Sequence, residues 1–218
     1  MNLTDPSELK ALLLRHGLTP TKKWGQHFLV SQRVVDAIVQ EAKGFHSAFE
    51  VGPGPGVLTH GLTRVLESVT AMEIDPVAVS ALSESAPKAK VIHEDALRAS
   101  LAEPLEQLPE PRILVSNMPY NITGPLLTRF AEHRHLYGKA VLMMQKEVGD
   151  RILAGKGDSD AGSLSIFLQS QFVISKVCAV PPGSFFPPPK VESIVLRFVP
   201  KETGLGDAEA DFFKFVRK

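Results

Sequence analysis

The sequence predicts an α/β fold, a doubly wound, mostly parallel sheet with an antiparallel hairpin at one side, and three observations carry that expectation. Between Ser47 and Met144, short apolar runs alternate with amphipathic stretches of helical period. Glycine, proline and acidic residues punctuate the carboxyl ends of those runs. The last third instead sets two apolar runs, 173–180 and 191–199, on either side of "PPGSFFPPPK". That link is too tight for a parallel crossover, so the two runs should pair antiparallel.

Leu9, Leu12, Leu13 and His16 share one face of a helix that starts near Ser7 and stops at Gly17. A loop-like stretch, "TPTKKWGQHFLVS", follows and carries the only tryptophan. Ser31 should cap a second helix with Val34, Val35, Ile38, Val39 and Ala42 inward and Gly44 closing it. Ala48–Val51 is the first strand of the regular region, followed by a Pro/Gly turn and a helix through Leu58, Leu62, Val65 and Leu66. Val69–Ile74 is the next strand, and Pro76–Ser83 a helix with proline in its first turn. Val91-Ile92 and Ile113–Val115 supply two more strands. A helix through Leu126, Leu127 and Phe130 leads to a fifth strand, Ala140–Met144. "GKGDSDAG" (155–162) has the composition of a flexible polar loop.

The 218 residues suit one ordinary domain with an appendage, and 44% hydrophobic content is enough for a packed core. Lysine plus arginine equals aspartate plus glutamate at 24 each, so composition implies no nucleic-acid partner. Any basic surface must be local, with Lys22-Lys23 and the Lys214, Arg217, Lys218 end as candidates. Cys178 is alone, which excludes an internal disulfide, and no HExxH-type spacing occurs, so no metal is expected. No apolar run is long enough for a membrane span and no signal-peptide pattern is present, which makes a cytoplasmic address the expectation.

The chemistry lies at the strand ends, where open parallel sheets bind ligands. "EVGPGPG" (50–56) follows the first strand of the regular region. It misses the dinucleotide fingerprint, because the third glycine position falls on Val57 counted from Gly52 and on Thr59 counted from Gly54. Glu73 ends the next strand, 21 positions after Gly52, where a carboxylate can accept both hydroxyls of a ribose. Asp95 in "HEDA" ends the third and is placed to accept from an adenine amino group. Singly, these read as a tight turn, an exposed acid and a turn former. Together, in order at successive strand ends, they describe a nucleoside site. No lysine follows the glycines as a triphosphate would need, so S-adenosylmethionine is the cofactor they imply.

"SNMPYN" (116–121) ends the fourth strand of that series and faces the reactive methyl. The exocyclic amine of a nucleobase is a poor nucleophile, since its lone pair is delocalised into the ring. Acceptors at the Asn117 side chain and at the backbone of Met118 or Pro119 would orient that amine and expose the lone pair. Tyr120 offers a ring on which the base can stack. "GSFFPPPKV" (183–191) holds two further rings in a stiff loop, so that Phe185 or Phe186 can cover the other face.

Assembled, these residues resemble the ribosomal RNA adenine N6,N6-dimethyltransferase family, and most closely its bacterial small-subunit (16S) branch. "KKWGQHFLVS", "EVGPGPG", "EID", "EDA", "NMPYN", "QKEV" (145–148) and "FFPPPKVES" (185–193) carry the resemblance across nearly the whole chain. It implies a Rossmann-like S-adenosylmethionine-dependent methyltransferase with a seven-stranded sheet. It implies cofactor contacts at His27, Leu29, Gly52, Glu73, Asp95 and Asn117, with histidine at 27 where the family usually has asparagine. Asn117, Pro119, Tyr120 and Phe185 become the catalytic set, with Phe185 as the stacking phenylalanine. The implied domains are 1–45 (helices and a cofactor-covering loop), 46–200 (catalytic) and 201–218, the start of a helical domain that is largely missing. The implied partner is small-subunit ribosomal RNA within an assembling subunit, met by a monomer. The rival readings are a resistance-type methyltransferase of large-subunit ribosomal RNA and a non-catalytic assembly factor.

Overall fold

The structure, a computed structural model, describes residues 1–20, 26–155 and 162–202. Trp24, both basic clusters, most of the 155–162 loop and most of the 201–218 segment lie outside the described residues.

The chain opens with helix α1 (Pro6–His16). The Asp5 side chain accepts from the Ser7 N–H to begin it, and Gly17 ends it at φ 66. A two-residue strand, β1 (Phe28–Leu29), then precedes α2 (Gln32–Glu41). Ser31 is the N-cap of α2 as expected, but its side chain makes no capping bond. Its backbone carbonyl takes the N–H groups of Val34 and Val35 instead. The helix ends at Ala42, two residues short of Gly44.

Strands β2 (Ser47–Val51), β3 (Ser68–Glu73) and β4 (Lys90–His93) alternate with α3 (Val57–Leu62) and α4 (Pro76–Ser85). The chain continues through α5 (Ala102–Glu106), β5 (Arg112–Asn117), α6 (Thr123–Glu132), β6 (Lys139–Gln145), α7 (Lys146–Leu153) and α8 (Ser163–Gln171). It then closes with β7 (Phe172–Val180), the short β8 (Phe185–Phe186) and β9 (Ser193–Pro200). The seven-stranded sheet has the order β4-β3-β2-β5-β6-β9-β7, with β9 antiparallel to both neighbours, as the hairpin argument predicts. β1 and β8 form a separate antiparallel ribbon.

Alternation along the central strands builds two cores. Ala48, Ile113, Val115 and Val141 pack with α1, α2 and α3 on one face. Phe49, Leu114 and Leu142 pack with α5, α6 and α8 on the other. Burying each large side chain stabilises the fold by about 1.5–3 kcal/mol. Helix α3 is shorter than predicted, and Val65 is exposed rather than inward. Among the described residues, no helix is long and apolar enough to cross a membrane.

Candidate active site

The strand order reverses between β2 and β5, and a crevice must open where their carboxyl ends diverge. The cavity there has an empty volume of ≈ 1200 Å³ including its open mouth. It is lined by the ends of β2, β3 and β5, by the start of the loop after β4, and by β1.

The turn after β2 holds Gly52 at φ 70 and Gly54 at φ 55, a region that L side chains rarely adopt. A Cβ on Gly54 would also sit 3.1 Å from the Phe28 ring, so β1 lies against the turn. Glu73 ties the turn to the next strand. One carboxylate oxygen accepts from the Gly54 N–H at 2.9 Å, and the other accepts from Ile74 and Asp75 at 2.9 and 3.0 Å. Burial pushes its carboxyl above the usual range, and those backbone donors pull it back. Asp75 accepts from Val77 to begin α4 and from the Gln26 side chain, which fastens the approach to β1. Asp95 also lines the cavity and turns one oxygen to the Leu97 N–H at 2.9 Å. The bland reading of Asp95 as a turn former is thus also true of it.

Asn117 ends β5 at the mouth. Its side-chain N–H donates to the His27 backbone carbonyl at 3.2 Å, which defines the amide's orientation and frees its oxygen. Pro119 lines the cavity, but its carbonyl accepts from Ile122 N–H and the Thr123 hydroxyl. Tyr120 opens a single 3-10 turn. Its ring lies on that of His27, centroids 5.6 Å apart and planes 26° apart, and its hydroxyl meets Ser193 Oγ at 2.7 Å. Burial raises the phenol's pKa and the Ser193 bond opposes that rise. His27 Nδ1 lies 2.8 Å from the Pro187 carbonyl, which can only accept, so Nδ1 carries the hydrogen.

His27, Leu29, Gly52, Glu73, Asp95, Asn117, Pro119 and Tyr120 therefore meet around one cavity. Phe185 does not. It is 3% exposed, pairs with Leu29 across the ribbon and packs in the core, outside the cavity lining. Phe186 is half-buried beneath the Lys10 ammonium, 4.9 Å from the ring centre, and is also outside the lining.

Glu50 went unnoticed in the sequence reading. It lies in fully buried β2, 1% exposed, lines the cavity, and one of its oxygens has no hydrogen-bond partner among the described residues. Burial raises its pKa to about 8, and Glu73 adds to the rise. The Thr59 hydroxyl beside it works the other way, although the two make no hydrogen bond of ordinary geometry. The available signal was a carboxylate inside an otherwise apolar strand.

Glu50, Glu73, Glu94 and Asp95 give the lining four carboxyl groups, and among the described residues it holds no lysine or arginine. The other acids disfavour phosphates even while Glu50 holds its proton, and the lining suits a cationic ligand with a ribose. S-adenosylmethionine, with its sulfonium and ammonium groups, fits both the glycine turn and the orphaned Glu50 oxygen.

Fold and cavity together define an S-adenosylmethionine-dependent methyltransferase. A family model described as ribosomal RNA adenine dimethylase matches residues 18–218, and the chain belongs to that family. Its enzymatic class is accordingly ribosomal RNA adenine dimethyltransferase. A Geobacter metallireducens protein named ribosomal RNA small subunit methyltransferase A is 40% identical, over 85% of this chain and 70% of its own length. A Staphylococcus aureus protein of the same name is 36% identical, over 99% of this chain and 76% of its own. Among solved structures, a dimethyladenosine transferase from Plasmodium falciparum superposes with a TM-score of 0.77 at 31% identity, covering 88% of this chain and 70% of that one. The 23S rRNA methyltransferase ErmE gives 0.69 at 28% identity, covering 87% and 77%.

Proposed function

We propose that the protein dimethylates adenosine N6 in small-subunit ribosomal RNA, as a monomer in the cytoplasm acting on the assembling subunit. Relatives named for the small subunit, at 36% and 40% identity, favour this target over the large-subunit RNA named for ErmE at 28%.

When bound, S-adenosylmethionine supplies an electrophilic methyl group on a positively charged sulfur. The chain's part is to hold both reactants in line and to make the amine a nucleophile. Glu73 accepts from the ribose hydroxyls with the lone pairs its backbone donors leave free, and the loop at Asp95 flanks the adenine. His27, just before β1, and Leu29 within it close the cavity from that side. The Asn117 side-chain oxygen accepts one N–H of the target amine. Pro119's carbonyl is engaged within the following turn, so the Met118 carbonyl serves as the second acceptor. With both hydrogens held, the nitrogen lone pair leaves conjugation and points at the methyl. The proton is lost after attack, so a neutral amide suffices and no strong base is required. Tyr120 stacks on the base with the face that His27 leaves open.

The observation that carries this reading is the Asn117 amide, oriented by His27 with its oxygen free at the cavity mouth. Mass spectrometry of ribosomal RNA from cells with and without the protein tests it. Dimethyladenosine should vanish from small-subunit RNA when the protein is absent; loss confined to large-subunit RNA would refute the target.

A further inference from the structure

We propose that Ser193 is a positioning residue for methyl transfer, its hydroxyl setting the angle at which Tyr120 presents its ring to the base. The proposal rests on the stacking role given to Tyr120 above. Tyr120 lies beyond the end of β5, in a 3-10 turn outside the sheet. Two ring-level contacts hold it: His27 against one face and Ser193 at the hydroxyl, 2.7 Å away.

Ser193 is a firm anchor. It is 0% exposed, begins β9, and pairs with Gln145 of β6 on one side and Val180 of β7 on the other. A buried hydroxyl needs a partner, and among the described residues Tyr120 is the one it has. The strand that carries Ser193 is itself clamped by the "QKEV" segment, which lies outside the cavity lining. The Lys146 N–H donates to the Glu192 carbonyl at 2.9 Å. Gly149 in α7 approaches β9 so closely that a Cβ there would lie 2.3 Å from Ile194. The path from α7 through β9 to the Tyr120 hydroxyl gives this motif a role that no contact with cofactor or base supplies. Losing the bond would let the ring rock against His27, misaligning the base while the cofactor's own contacts stay intact.

The test compares full-length wild type with Ser193→Ala, Tyr120→Phe and the double variant. Single-turnover methyl transfer to small-subunit ribosomal particles should fall roughly three- to tenfold in each single variant, the worth of one hydrogen bond. The dissociation constant for S-adenosylmethionine should not change, and the double variant should lose no more than the worse single. Tyr120→Phe keeps the ring and leaves Ser193 in place, so it carries the test if Ser193→Ala folds poorly. Losses that multiply in the double variant would overturn the proposal. The chain has two tyrosines, so a second readout is available without activity. With 13C-labelled tyrosine, the Tyr120 ring resonance should shift or broaden in Ser193→Ala. The resonance of Tyr137, whose hydroxyl donates to the Phe130 carbonyl, should not. An unmoved Tyr120 signal would equally overturn it. Should wild type transfer no methyl to these particles, the functional reading fails, while the resonance still decides the role of Ser193.

Discussion

The side chain of Asn117 donates to the backbone carbonyl of His27, 90 positions earlier in the chain, at 3.2 Å. One hydrogen bond thus joins the strand end proposed to meet the target amine to the segment that precedes β1.

Asn117→Ala should act on the chemical step. It removes the oxygen that orients the amine, a loss comparable to deleting one preorganised hydrogen-bond partner, on the order of 10²-fold in kcat. Cofactor affinity should fall less than kcat. Asn117→Asp keeps an acceptor but turns a carboxylate oxygen toward the His27 carbonyl, so it too should lose kcat. Single-turnover rates and calorimetry on the same preparations check both expectations.

Glu73→Ala should weaken S-adenosylmethionine binding by about 1.5–3 kcal/mol, the range for hydrogen bonds to a charged group. The same change strands the N–H groups of Gly54, Ile74 and Asp75, so thermal stability should fall as well. Glu73→Gln retains one acceptor oxygen and should recover much of the stability but less of the affinity. Calorimetry finding unchanged affinity in Glu73→Ala would remove this residue from the cofactor site.

Glu50 makes stability depend on pH. Its folded pKa of about 8 lies above the ordinary 4.5, so between those values the folded protein holds a proton that the unfolded chain has released. Stability from this group is fully present below 4.5, declines as pH rises to about 8, and falls no further beyond. Glu50→Gln should flatten that decline, by about 5 kcal/mol at most across the window. Chemical denaturation of both proteins at pH 5, 7 and 9 provides the comparison. A cationic ligand in the cavity favours the carboxylate, so S-adenosylmethionine should also reduce the slope in wild type.

His27→Ala removes the ring beneath Tyr120 and the bond to the Pro187 carbonyl. The stacked pair alone is worth about 0.5–1.5 kcal/mol, so kcat should drop by up to roughly tenfold. His27→Asn lacks a ring and should not restore it. Equal rates for all three proteins would show that the ring contact is idle.

Much of this architecture was legible because it is local and periodic. The β-strands between Ser47 and Gln145 read as apolar runs, and their order at the cavity follows from which runs end in Gly52, Glu73, Asp95 and Asn117. The hairpin followed from the shortness of its link. What escaped depends on long-range contact. Strands β1 and β8 are two residues each and exist through pairing with one another. Helix α7 contains Gly149, which lowers its local signal and is there to let β9 approach. Helix α8 runs into β7 with no breaker between them. Phe185 and Phe186 read alike because a phenylalanine in a proline-rich loop suits a base platform and a buried ribbon equally well. Glu50 was hidden because its meaning comes from complete burial, which only the packed sheet creates.

The central claim, that Asn117 presents an adenine amine of small-subunit ribosomal RNA for two successive methyl transfers, is tested most directly by one assay. Small subunits lacking the modification are mixed with the protein and S-adenosylmethionine, sampled in time, digested to nucleosides and measured by mass spectrometry. With wild type, N6-methyladenosine should rise and give way to N6,N6-dimethyladenosine, and with Asn117→Ala both should form on the order of 10²-fold more slowly. Unmodified small-subunit adenosine in the presence of wild type, or equal rates for the variant, would contradict the account.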